Sequence, residues 1–338
     1  MEIFATGMVC SVGLSAASAC AAIRARIAKF DELPCLDKNG EPIVGATVPG
    51  LEDRGRLVSL LAMALADCLE SGKVKQTERI PLLVGLAEPG RPGNGAEHAD
   101  AIIREVATKL EKTFDPKRSA VIFQGHTSGF EALRQARELL KDPAISACFV
   151  CGVDSYTNST SLEWLEQTDR LKTPTNPDGV IPGEAAACVI VARPGSGKRE
   201  GGTTRVVGLG SALETATVLN DEPILGSGLT EAVKTALVEA GLTLHEVDFR
   251  LSDVTGEHYG FKEHALMVSR LMRGARDAFP IWHPADAIGD TGAAAGLTQL
   301  VIADRAFREG YAPGVRVLCS TSSVPGERFA AVLEFQRD

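Results

Sequence analysis

No stretch of this 338-residue chain has the uninterrupted apolar length, about 20 residues, that a helix needs to cross a bilayer. The first twenty residues lack the basic start of a secretory signal. Basic residues are in deficit, since 35 Lys and Arg stand against 44 Asp and Glu for a net charge of −9. That balance opposes nonspecific binding to phosphate backbones and anionic lipid surfaces. A cytoplasmic protein with neither nucleic acid nor a membrane as partner is expected. Paired cysteines are also scarce: the eight are scattered singly apart from Cys148-Phe149-Val150-Cys151. A chain of this size does not need disulfides, and residues three apart in a strand face opposite sides, so a buried structural role is expected for both. No metal and no cofactor is expected.

Ordinary globular composition remains, with 44% hydrophobic and 23% charged residues. It is enough for one large two-part domain. Strand-like apolar runs alternate with helical periodicity, the pattern of an α/β protein whose sheets are covered by helices. Helices are expected over 54–70, 131–140, 230–240 and 263–272, and strands over 80–86, 145–154, 187–192, 205–209 and 249–254. The polar run Pro194-Gly195-Ser196-Gly197-Lys198-Arg199-Glu200-Gly201-Gly202 breaks the chain, so the expected organisation is 1–193, a linker over 194–203, and 204–338. Gly195-Ser196-Gly197-Lys198 lacks the glycine spacing and following hydroxyl of a phosphate loop and reads as linker.

Three motifs carry chemistry. Residues 122–133 run from an apolar strand through Gln124-Gly125-His126-Thr127-Ser128-Gly129 into a helix. Asp178-Gly179-Val180-Ile181-Pro182-Gly183-Glu184-Ala185-Ala186 and Gly289-Asp290-Thr291-Gly292-Ala293-Ala294-Ala295-Gly296 follow. With Thr6-Gly7-Met8-Val9-Cys10-Ser11-Val12-Gly13 and a helix to about Ala28, and the segments 145–154 and 228–248, they occur in the order found in β-ketoacyl-ACP synthases of the thiolase superfamily, which the sequence resembles. The resemblance implies a five-layered αβαβα fold of two similar halves with a pocket between them. It places His126 where the family has its acyl-accepting cysteine. The family's two histidines fall on Thr255 and Asp290 and its lysine on Ala285, and its last Gly-rich loop becomes Ser320-Thr321-Ser322-Ser323-Val324-Pro325-Gly326.

A cysteine suits such a turn because the positive end of the helix favours thiolate, and free amides there can hold an oxyanion. Histidine inverts the first advantage, so His126 is expected to stay neutral unless a carboxylate sits beside it. Thr255, His126 and Asp290 are the types needed for nucleophile, base and orienter, so a hydrolase-like triad is weighed against a degenerate site. The degenerate site is favoured, because the original positions surround a thioester carbonyl and form no relay. Glu257, His258, Glu263 and His264 crowd together but lack helical zinc spacing, and a solvated loop is expected. His98, His245 and His283 are expected at the surface or in caps, Trp164 and Trp282 at loop or dimer edges, and Glu184 as a buried structural carboxylate.

The expected function is that of a pseudoenzyme without condensing activity. It would act as a homodimer, or as a heterodimer with a ketosynthase in the manner of a chain-length factor, with acyl carrier protein or acyl-CoA as further partners. The alternatives are an acyl-thioester hydrolase or decarboxylase acting through His126, which requires an open acyl tunnel, and condensation through another cysteine such as Cys319.

Overall fold

The computed structural model describes residues 1–52, 54–72, 79–93, 99–195 and 201–337. The expected linker therefore lies partly outside the described residues, as does His98. In the first half run β1 (Glu2–Cys10), α1 (Ala16–Arg24), β2 (Asp31–Leu36), β3 (Pro42–Gly45), α2 (Arg56–Ser71), β4 (Leu82–Leu86), α3 (Ala99–Leu110), β5 (Ala120–Phe123), α4 (Ser128–Leu139), β6 (Ala147–Ser155), α5 (Ser159–Gln167) and β7 (Glu184–Ala192). The second half holds β8 (Thr203–Leu213), α6 (Ser227–Ala240), β9 (Phe249–Ser252), α7 (His258–Leu271), β10 (Ile281–Trp282), α8 (Ala285–Ile288), α9 (Ala295–Arg308), β11 (Arg316–Ser322) and β12 (Glu327–Gln336).

Ten strands form one mixed sheet in the order β10-β9-β11-β12-β8-β1-β7-β6-β4-β5. Leaving aside the separate β2-β3 hairpin and counting the five sheet strands within each half, both halves have the order 3-2-4-5-1. Their pairing senses also agree, because β4 is parallel to β5 and β6 as β9 is to β10 and β11, and the remaining pairs are antiparallel. Glu2 and Ile3 of β1 pair with Arg205 and Thr204 of β8, which joins the halves.

The strand sequences explain why both faces of this sheet are covered. In β7 every residue is buried, with Ala185, Ala187, Val189 and Val191 in the central core and Ala186, Cys188 and Ile190 in the outer core of the first half. This is strand periodicity written into a continuous apolar run. β6 divides likewise, Cys148 facing the central core and Cys151 the outer one, as their spacing predicts. The central core is built on α4 and α9, which pack on strands of both halves and on each other, while α2 with α3 and α6 with α7 cover the outer faces. The layers are thus helix, sheet, helix, sheet, helix.

Two local expectations change. α1 stops at Arg24 rather than near Ala28, because Arg26 takes the left-handed conformation, φ 56°, and the Ile27 amide turns back to the Ala22 carbonyl. The supposed solvated loop at 257–264 is the start of α7, with Glu263 and His264 buried against the sheet.

Candidate functional site

α4 and α9 occupy equivalent places in the two halves and begin alike. Each follows a 3₁₀ turn, Gly125–Thr127 or Gly292–Ala294, whose first glycine has positive φ, 55° and 49°. A Cβ at Gly125 would strike the Glu88 carboxylate, and one at Gly292 the Asp154 carboxylate. Four residues on, Gly129 lies against Leu297 and Gly296 against the Phe130 ring, so the helices approach closely at their N-termini. His126, just after one positive-φ glycine, therefore meets Asp290, just before the other.

His126 is 4% exposed and Asp290 3%. The Nε2 of the imidazole lies 2.8 Å from Asp290 Oδ1, which also accepts the Gly292 amide at 2.9 Å. Asp290 is held in turn by its own backbone, whose carbonyl accepts from Gly183 at 2.9 Å and whose amide donates to Ile181 at 2.8 Å. Burial opposes charge on His126, but the Asp290 carboxylate and its hydrogen bond, with Asp253 and Glu88 beyond, outweigh it and raise the pKa to about 9. On Asp290 burial is likewise overcome by His126, and its pKa falls to about 2. The condition attached to a neutral His126 is thus not met: a carboxylate does sit beside it, and its charge favours the protonated ring.

Thr255 lines the same cavity, but among the described residues no hydrogen bond joins it to His126 or Asp290. Asp253, two residues earlier, comes forward instead. Its Oδ2 accepts the Ser322 amide at 2.7 Å, and burial above all raises its pKa to about 6 against the lowering effect of His126. Ala285, the family's lysine position, lines a smaller neighbouring cavity with Asp253 and Asp290.

The cavity in front of His126 measures about 50 Å³. Ion pairs crowd it. Arg170 donates from Nε and Nη2 to the two Glu257 oxygens, both at 2.8 Å, and Arg328 donates from Nε to Glu263 at 2.7 Å and from Nη2 to the Tyr259 hydroxyl at 2.6 Å. Arg328 also donates to the Ser323 carbonyl at 2.9 Å. The Ser323 hydroxyl bonds the Gln124 carbonyl and lies 3.3 Å from Thr127 Oγ1, which ties the 320–326 segment to the His126 turn. Arg170, Val218, Glu257 and Tyr259 stand between this cavity and a more open recess of about 410 Å³.

Sequence reasoning brought His126, Thr255 and Asp290 to one place but missed Asp253, Arg170 and Arg328. It read Glu257 and Glu263 as solvated, when each is the counter-ion of a buried arginine. Among the described residues no group of His, Cys, Asp and Glu is arranged to hold a metal. Cys319, the other candidate nucleophile, is fully buried in β11 facing the central core, where burial pushes its thiol pKa far up. Glu184 is a structural carboxylate as expected, accepting Val48 N at 2.6 Å, Ser155 Oγ at 2.9 Å and both Nε and Nη2 of Arg56 at 2.6 Å.

No protein-family model matches the sequence, and no curated protein does. Solved structures do match. A chain of the ketosynthase of Xenorhabdus doucetiae in complex with its chain length factor shares 13% identity over 99% of this chain and 98% of its own, with a TM-score of 0.72. The ishigamide ketosynthase/chain length factor shares 19% over 98% of both, at 0.73. The complex of a type II polyketide synthase acyl-carrier protein with its ketosynthase bound to the hexaketide gives 13% over 98% of both, at 0.83. At such identities likeness speaks for architecture alone, and the architecture is the thiolase-like fold of ketosynthases and chain length factors.

Proposed function

We propose that this chain is a ketosynthase-like subunit without condensing activity, which pairs with itself or with a ketosynthase and works as a binding or assembly partner. One observation carries the reading: at the turn where the resembled family presents its cysteine, His126 is held on Asp290 as an imidazolium before a cavity of about 50 Å³. An imidazolium has no lone pair to offer a thioester. Small-molecule sites span roughly 300–1,000 Å³, so the space does not suit an acyl chain. Similarity to chains of ketosynthase/chain length factor assemblies, and of a ketosynthase in complex with an acyl-carrier protein, supports a partner of that type, with acyl carrier protein or acyl-CoA as visitors to the assembly. Two similar halves, 1–193 and 204–338 with 194–203 between them, are part of this reading, as is a cytoplasmic location. Among the described residues no helix is long and apolar enough to cross a membrane.

The decisive measurement is the intact mass of the purified chain after incubation with labelled acyl carrier protein and acyl-CoA, together with analysis of the products. No added mass and no elongated product are expected, whereas co-expression with a ketosynthase should yield a stable pair. A covalently held acyl group that becomes elongated would overturn the reading.

A second reading, hydrolysis or decarboxylation of an acyl thioester through His126, draws support from the 2.8 Å contact to Asp290. Against it, among the described residues the cavity before His126 measures only about 50 Å³ and Thr255 has no hydrogen bond to the pair. If it holds, His126→Ala abolishes turnover of a short-chain acyl-CoA; undiminished turnover rejects it.

A further inference from the structure

A cavity of about 710 Å³ opens between β2, the start of α2 and the start of α5, and among the described residues none of its lining belongs to the space before His126. Its size falls within the range of small-molecule sites. The lining is of two kinds. Leu33 of β2, Leu51, and Leu57 and Val58 of α2 supply apolar surface, whereas Ser155, Thr157, Ser159 and Thr160, from the end of β6 to the first turn of α5, supply hydroxyls. Ser155 and Thr157 direct theirs to Glu184, at 2.9 and 3.4 Å. Among the described residues the Ser159 and Thr160 hydroxyls have no hydrogen-bond partner. Asn158 caps α5 by accepting the Ser161 amide at 2.9 Å, and the Ser159 and Thr160 amides, first in the helix, find no acceptor within it.

The charge at this cavity is already neutralised. Arg56 is the one charged residue in the lining among the described residues, and all its donors are engaged. Nε and Nη2 reach the two Glu184 oxygens at 2.6 Å, while Nη1 and Nη2 reach the carbonyls of Leu51 and Val48 at 2.7 and 3.1 Å. Taking a charged group out of water without a counter-ion is costly, so a carboxylate, a phosphate or an ammonium gains nothing here that offsets its desolvation. An uncharged oxygen is different, because free hydroxyls and amides can satisfy it. The cavity also carries its own reporter: of the eight cysteines only Cys35 is not buried, and it stands in this lining.

We propose that this cavity binds an uncharged amphiphile, its oxygen-bearing head on the first turn of α5 and its apolar tail against Leu33, Leu51 and Leu57. The division of the lining fixes both ends of the ligand, and the engaged Arg56 selects against charge on either. The site is separate from the proposed partner role and stands or falls without it.

Calorimetric titration of the full chain with octyl glucoside below its micellar threshold tests it, beside methyl glucoside, decanoate and octylamine. Saturable binding of octyl glucoside is expected, with each of the other three weaker by about tenfold or more. Thr160→Trp, at an exposed position on α5, fills the cavity from its polar side and should weaken binding by a similar factor, whereas Val238→Trp, 72% exposed on α6, should change nothing. Absence of saturable binding overturns the proposal, as does a Thr160→Trp chain that binds as the parent does. Methyl glucoside binding as tightly as octyl glucoside would show that no tail is recognised, and decanoate or octylamine doing so would show that charge is accepted; either result overturns it. Should Thr160→Trp fail to fold, the parent decides through the rate at which Cys35 reacts with a thiol reagent: slowing by octyl glucoside and not by decanoate supports the site, and an unchanged rate overturns it.

Discussion

His126 and Asp290 are a buried pair whose partners come from opposite halves of the chain, with side chains 5% and 2% exposed. Each makes the other's charge tolerable, so without the carboxylate His126 gives up its proton and the stability carried by its raised pKa is lost. Asp290→Asn should lower the unfolding free energy at pH 6 by about 3–5 kcal/mol, read by urea denaturation. The pH profile follows from the two shifts. His126 rises from 6.5 to about 9, so its contribution is complete below 6.5 and is lost as pH climbs through 9. Asp290 falls from 3.8 to about 2, so its contribution is complete above 3.8 and is lost as pH drops through 2. Denaturation series should therefore show the parent's advantage over Asp290→Asn at full height between about pH 4 and 6.5 and shrinking towards pH 9. A flat difference across that upper range would mean that His126 is neutral and the pair is only a hydrogen bond.

At the scale of elements, α7 and β12 are joined by Arg328, which is 1% exposed and bonded to Glu263, Tyr259 and the 320–326 segment. Arg328→Met alone should cost about 3–5 kcal/mol, because Glu263 is left charged in a dry site, while Arg328→Met with Glu263→Leu should recover most of the loss. Chemical denaturation of the single and double variants measures both. This tie also shows what the sequence could and could not tell. The apolar run of β7 and the three-and-four repeat of α4 are local patterns, and both elements were legible within a few residues. The turn glycines Gly125 and Gly292 are local as well, and they bring His126 to Asp290. The pairs Arg328 with Glu263 and Arg170 with Glu257 span 65 and 87 residues, with no periodicity to announce them. Read alone, Glu257, His258, Glu263 and His264 are simply polar, and only the sheet behind α7 reveals that two of them are interior.

In the whole molecule, repeating one strand order twice and joining the copies through β1 and β8 leaves two outer edges, β10 and β5. They are unequal. β10 is two residues long, Ile281–Trp282, too short to template another chain, whereas β5 offers four apolar residues, Ala120–Phe123, directly before the His126 turn. An exposed apolar edge strand is a template for pairing with another chain. In the proposed assembly the partner would pair along β5, as the family resemblance implies, and the His126 turn would then lie close to the subunit boundary. Light scattering coupled to size exclusion should give the mass of two chains, or of one chain with a co-expressed ketosynthase. Ala120→Lys at the start of the strand should leave the single chain with its circular dichroism retained, at some cost in thermal midpoint because Ala120 packs partly against the central core. A parent that runs as a single chain both alone and beside a ketosynthase would remove the assembly, and with it the partner role proposed for this chain.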